Sequence, residues 1–157
     1  MTELIEEKDV TPVNLALALE RAVIAHDLDE DQSIYVKEDG WFTFWIWVRK
    51  GTGYVHLKTH THFKKSTTQL QRLEICNEFN KSKFMLTCYE SRGRLCFDHA
   101  LNFRDGLLHE NFVRSCRQFA KSIETGLADT DPDNVFVLQP GETAPEDETG
   151  DQNHESK

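Results

Sequence analysis

The stretch Ser66–Phe103, STTQLQRLEICNEFNKSKFMLTCYESRGRLCFDHALNF, decides the fold. Ser66-Thr67-Thr68 offers hydroxyl caps just before an amphipathic run, which predicts a helix from Gln69 to Asn80. Leu70, Leu73 and Cys76 recur at helical spacing, and Asn77 and Asn80 fall on the same stripe. An amide buried without a partner costs about 1–3 kcal/mol, so both asparagines are expected to bond backbone at the corner leaving the helix. Beyond the corner the chain alternates. Phe84 to Glu90 and Leu95 to Leu101 flank Ser91-Arg92-Gly93-Arg94, a hairpin with Arg92-Gly93 as its two-residue turn. That register sets Cys88 opposite Phe97, Leu86 opposite His99 and Phe84 opposite Leu101. It gathers Phe84, Leu86, Cys88, Leu95, Phe97 and Leu101 on one face.

Toward the N-terminus, Thr11-Pro12 reads as an N-cap followed by a first-turn proline, opening a helix over Val13 to His26 with Ala16, Leu19 and Val23 on one stripe. The acids of Asp27-Leu28-Asp29-Glu30-Asp31 oppose a helix C-terminus, so that stretch reads as a loop. Three strands are predicted next: Ser33 to Lys37, Trp41 to Val48 and Gly53 to Phe63. A three-residue loop sets Val36 opposite Phe42 and Ile34 opposite Phe44; a four-residue loop sets Ile46 opposite Val55 and Phe44 opposite Leu57. Both pairings place Ile34, Val36, Phe42, Phe44, Ile46, Val48, Val55 and Leu57 on one aliphatic face, expected to pack on the helices.

The reverse face collects Tyr35, Trp41, Trp45, Trp47, Tyr54, His56, Lys58 and His60, including all three tryptophans. A strand apolar on both sides calls for cover on both sides. The first helix, the C-terminal tail or a second subunit would supply it; the other reading is a partner-binding platform, because Trp and Tyr beside cations are typical of recognition surfaces. His56, His60 and His62 alternate as strand ligands would, yet Lys58 stands between two of them, so no metal site is expected.

After the hairpin, Leu108, Phe112, Cys116, Phe119 and Ile123 mark a closing helix with Gly126 as a C-cap and Arg114, Arg117 and Lys121 on its outer side. The helix-and-strand reading is therefore an α+β domain, ordered α-β-β-β-α-β-β-α, with an antiparallel sheet packed against helices. Residues 1–10 read as an acidic leader, 11–127 as one domain, and 128–157 as an acidic, largely disordered tail. Within the tail, Val135-Phe136-Val137-Leu138 is a short apolar motif suited to adding to a sheet edge, either of this domain or of another protein.

Leu70-x-x-Leu73-x-x-Cys76-Asn77-x-x-Asn80, the Phe84 to Tyr89 strand, Gly106-Leu107 and the Phe112-Val113 helix together resemble the YbjN family, described as bacterial sensory-transduction regulators. The likeness runs from about Ile34 to Leu127. It implies a fold similar to type III secretion chaperones, a regulatory or chaperone-like role and a homodimer, and it supplies no catalytic residue.

Composition bounds the rest. The chain has 157 residues and a net charge of −9, unevenly spread. Residues 1–31 hold nine acids against Lys8 and Arg21, and 129–157 hold nine against Lys157, while 32–128 carry fifteen Lys and Arg against nine acids. Cys76, Cys88, Cys96 and Cys116 lack the Cys-x-x-Cys spacing of metal or redox motifs. Neither a signal peptide nor a membrane span is read, so a cytoplasmic protein is expected. A Gly-rich phosphate loop, a paired-His helix and a nucleophile motif are all missing from the sequence, which points away from an enzyme and from any cofactor. The expectation is a non-enzymatic protein-binding module, a regulator or adaptor holding an extended segment on Tyr35, Trp41, Trp45, Trp47, Tyr54 and His56. The alternative is a single-stranded nucleic-acid binder using the same aromatic and basic face, opposed by the acidic ends.

Overall fold

Two capped helix starts and four reversals of the chain set the architecture of the computed structural model, which describes residues 3–139 and 142. Helix α1 (Pro12–Arg21) begins where the Thr11 hydroxyl accepts the Asn14 N–H at 3.2 Å, with Pro12 in the first turn. Helix α2 (Gln69–Ser82) opens on a reciprocal capping box: Thr68 Oγ1 accepts the Gln71 N–H, and Gln71 Oε1 accepts the Thr68 N–H. Helix α3 (His109–Thr130) is the longest element.

Among the described residues eight strands accompany them: β1 (Leu4–Ile5), β2 (His26–Leu28), β3 (Ile34–Val36), β4 (Phe44–Arg49), β5 (Tyr54–His62), β6 (Thr87–Ser91), β7 (Arg94–Asn102) and β8 (Leu107–Leu108). Six form one antiparallel sheet in the order β2-β3-β4-β5-β7-β6, and β1 pairs separately with β8. This is an α+β fold. All three helices lie on one side of the large sheet. Phe119 of α3 meets Phe44 edge-on at 5.3 Å, Phe79 of α2 meets Phe97 at 5.0 Å, and Leu15 and Leu19 of α1 share the same core. Burying these rings and aliphatic chains, at roughly 25 cal/mol per Å² of apolar surface, is what holds the layers together.

The hairpin of β6 and β7 has the expected register, with Cys88 opposite Phe97. Phe84, however, stands outside the strand and is fully exposed, so it leaves the face assigned to it. Pairing of β3 with β4 joins Val36 to Phe44 and Ile34 to Ile46, and β4 with β5 joins Ile46 to Leu57 and Val48 to Val55. Both registers are two residues away from those read in the sequence. The β4–β5 turn explains its own shift: it closes over residues 50–53, with Gly53 at φ +73° donating to the Arg49 carbonyl. Only glycine takes that conformation freely, so Gly53 belongs to the turn and not to the strand. Because a two-residue shift preserves side-chain parity, the residues within the paired strands keep their faces.

Two predicted stripes are corrected. On α1 the helix stops at Arg21, and Val23, at φ +57°, is 86% exposed while His26–Leu28 becomes an edge strand paired with β3. The acid-rich segment read as loop therefore starts as β2, because the backbone of β3 offers it a ladder. On α2, Leu70 and Leu73 are 65% and 50% exposed, and Ile75, Cys76 and Phe79 are buried instead. Phe79 sets that rotation. Its ring lies where a Cβ on Gly126 would come within 2.2 Å, so α2 and α3 approach through the missing side chain. Gly126 is thus a packing glycine inside α3 and not its cap.

The acidic leader is tied down through β1, and His109 N–H donates to the Glu3 carbonyl at 2.9 Å. At the other end, Asp131 is 2% exposed and its carboxylate accepts the N–H groups of Val135, Phe136 and Val137. That clamp aims the apolar motif at the far end of β5. Phe63 pairs with Val137 in an antiparallel bridge, Leu138 N–H donates to the His62 carbonyl at 3.0 Å, and Lys64 N–H donates to the Phe136 carbonyl at 2.8 Å. Val137 is completely buried. The motif thus adds to this domain's own sheet, one of the two dockings open to it. The part of the tail beyond it, residues 140, 141 and 143–157, lies outside the described residues.

Candidate partner-binding face

Period-two alternation along β5 sends Val55, Leu57, Thr59 and Thr61 into the core and Tyr54, His56, Lys58, His60 and His62 to the opposite side. The ladder carries that side across the sheet. Tyr35 is paired with Trp45, Trp45 with Lys58, Trp47 with His56, His60 with Cys96, and His62 with Arg94. No helix of the described residues packs on this face, and the described tail touches only its end near His60 and His62.

The rings form a continuous row. Tyr35 and Trp45 lie 5.2 Å apart; Trp45 stacks on Trp47 at 6.5 Å and on His60 at 6.0 Å; Trp47 meets His56 at 6.4 Å. These separations suit offset and tilted aromatic packing, worth roughly 0.5–1.5 kcal/mol per pair beyond area burial. Trp41 departs from the row. It precedes β4, stacks on Phe44 at 6.4 Å and packs against the core, reaching the face only at a cleft of about 300 Å³ shared with Trp45, His60, His62, Leu138 and Gln139. Tyr54 and His56 lie where the alternation puts them, next to Arg49 and Trp47 respectively.

Cations are threaded among the rings. The Arg49 guanidinium sits 5.9 Å from the Trp47 ring centre, and the Lys58 ammonium 5.7 Å from that of Tyr89. A hydrogen bond with Tyr89, aided by Asp98 and opposed by partial burial, holds the Lys58 ammonium above its ordinary value. Burial, then the positive groups Arg94, His62 and Lys58, pushes His60 below the usual histidine range. Asp98 is shared between His56 at 3.7 Å and Lys58 at 4.0 Å. Sequence reasoning missed Arg94, Tyr89 and Asp98, because they enter the face only through the pairing of β5 with β7, a long-range contact with no local signature.

Among the described residues no three His, Cys, Asp or Glu side chains converge as a metal site would require. All four cysteines are free and buried. Burial raises the Cys116 thiol far above its ordinary range, so it is a packing group.

The two asparagines at the corner behave differently. Asn80 Nδ2 donates to the Cys88 carbonyl and its Oδ1 accepts the Cys88 N–H, both at 2.8 Å, locking the end of α2 to β6. Asn77 is exposed and makes no side-chain hydrogen bond among the described residues.

A family model described as "YbjN: Putative bacterial sensory transduction regulator" matches residues 11–128. The chain belongs to the YbjN family. A crystal structure titled "YbjN, a putative transcription regulator from E. coli" is similar at a TM-score of 0.66, with 14% identity, over 81% of this chain and 95% of that one. At that identity the likeness to the E. coli YbjN is one of fold. No curated protein matches the chain in sequence. The YbjN match ends at residue 128, before Asp131 and the docked Phe136–Leu138 segment. No helix among the described residues is long and apolar enough to cross a membrane.

Proposed function

We propose that this YbjN-family chain is a non-enzymatic regulator or adaptor that binds an extended segment of a protein partner on the open sheet face. The observation that carries the reading is the half-buried row Tyr35, Trp45, Trp47 and His60, with no helix packed over it among the described residues. Rigid aromatic side chains beside cations give large contact area at low conformational cost, which is what binding hot spots use. The site consists of Tyr35, Trp45, Trp47, Tyr54 and His56, with Trp41 at its margin and Lys58, His60 and Arg94 extending it.

The double variant Trp45→Ala with Trp47→Ala tests this. It is expected to keep the wild-type circular dichroism and a cooperative melt while losing most capture of partner proteins. A variant that unfolds would make the rings structural, and one that folds and captures partners undiminished would remove the face from the function.

A further inference from the structure

We propose that the partner segment is acidic, with a carboxylate seated among Lys58, His60 and Arg94 and a neighbouring apolar side chain laid on the Trp45–Trp47 stack. This rests on the reading of the face as a docking surface and names the chemistry of its occupant. Three independent observations carry it.

The first is a concentration of positive groups that the Asp98 and Glu142 carboxylates offset only in part. Lys58, His60 and His62 follow one another on the outer side of β5, and Arg94 stands opposite His62 across the ladder. Arg94, His62 and Lys58 all lower the proton affinity of His60, so the four act on one another through space. Asp98 supplies one carboxylate and is already divided between His56 and Lys58. Neither Arg94 nor Arg49 has an ion-pair partner among the described residues, where Asp27 at the sheet edge is taken by Lys37 at 2.5 Å.

The second is an orphaned donor. Gln139 Nε2 is buried without a hydrogen-bond partner among the described residues, in the cleft that Trp45, His60 and His62 also line. Glu142, the acid at that cleft, accepts the Gln139 main-chain N–H at 2.7 Å and leaves the side-chain amide unserved. An unpaired buried amide N–H calls for an acceptor, and a peptide carbonyl or carboxylate is one. The third is the shape of the apolar part. Trp47 and His60 lie within 17° and 8° of parallel to Trp45, at 6.5 and 6.0 Å, so the three rings make one contiguous apolar strip for a side chain to lie along.

Charge also rejects two other occupants. A second copy of the chain docked through this face would bring one cluster of Lys58, His60, His62 and Arg94 toward the other, with like charge facing like charge across the seam. A long polyphosphate would meet a chain of net charge −9 with acids gathered at both ends, whereas a short segment bearing one or two carboxylates meets mainly the local field.

The test uses the full chain and fluorescence anisotropy at about 50 mM salt, where surface electrostatics are less screened than at physiological ionic strength. The probes are a labelled peptide alternating glutamate and phenylalanine, its glutamine counterpart, its lysine counterpart, and oligothymidine. The glutamate peptide is expected to bind at least ~10-fold tighter than the glutamine peptide, with the lysine peptide weakest. Lys58→Gln with Arg94→Gln should erase that preference, bringing the two peptides to equal affinity. Equal binding of glutamate and glutamine peptides would overturn the acidic assignment while the docking face stands. Oligothymidine binding without peptide binding, or no binding at all, would overturn both. The peptide comparison needs no variant, so it decides the matter even where the substitutions disturb folding.

Discussion

The two faces of β5 are offset by a single residue, yet Val55, Leu57, Thr59 and Thr61 are sealed while His56, Lys58, His60 and His62 are left half-buried. The inner set meets α1, α2 and α3; the outer set meets its own neighbours on the sheet. Hydrophobicity alone does not separate them, since the outer residues of β5 lie beside Trp45 and Trp47 of β4 and the inner ones include two threonines. What separates them is how polar atoms are served. The inner threonines hand their hydroxyls to carbonyls, Thr59 to Thr43 and Thr61 to Leu138, and so fit a closed layer. The outer imidazoles, ammonium and guanidinium groups need water or a polar partner, and a helix could not have covered them cheaply.

The sharpest way to break the contrast is to truncate one ring on each side of the same sheet. Phe97→Ala, on the inner side against Phe79, is expected to cost about 3–5 kcal/mol of stability in denaturant unfolding. Trp47→Ala, on the outer side, should cost less than half as much despite removing a larger side chain, because part of its surface is already in water. Equal losses would mean the outer rings are core after all.

A middle-sized effect should come from the clamp that closes the inner side. Asp131→Ala removes the acceptor for three main-chain N–H groups and is expected to cost about 2–3 kcal/mol. Hydrogen exchange at Val135, Phe136 and Val137 should accelerate before the rest of the sheet does. Unchanged exchange there would show that the Phe63–Val137 bridge holds by itself.

The smallest effect is electrostatic and belongs to the outer side. His60 is depressed below its ordinary value by burial and then by Arg94, His62 and Lys58, so it is largely neutral near pH 7. A carboxylate seated beside it would favour the protonated form, so binding would take up a proton. Affinity for the glutamate peptide should therefore rise by a few-fold as pH falls from about 8 to about 6, while the glutamine peptide shows little change. A flat profile for the glutamate peptide would place its acid away from His60. His56, paired with Asp98, faces the same side and belongs in the control, as His56→Gln.

Much of this was legible from alternation and caps. The Thr11 and Thr68 caps, the Cys88–Phe97 register and the split of β4 and β5 into aliphatic and aromatic faces all follow from local spacing. Misreadings arose where a distant contact decided. Leu70 and Leu73 looked like the buried stripe of α2, but Phe79 seeking the gap at Gly126 turned the helix away from them. Val23 fitted a helical period, and the ladder offered by Val36 to His26 ended the helix early. The face itself was read for its aromatics, while its second half, Tyr89, Arg94 and Asp98, required knowing that β7 lies beside β5.

The Phe63–Val137 bridge also changes where the molecule can be cut. A shortened version ending with the family match, at residue 128, would pull a fully buried valine out of the interior and leave Phe63 without its neighbour. Loss of binding in such a fragment would report a damaged body and say nothing about the acidic extension. Trimming that extension cleanly means keeping everything through Gln139.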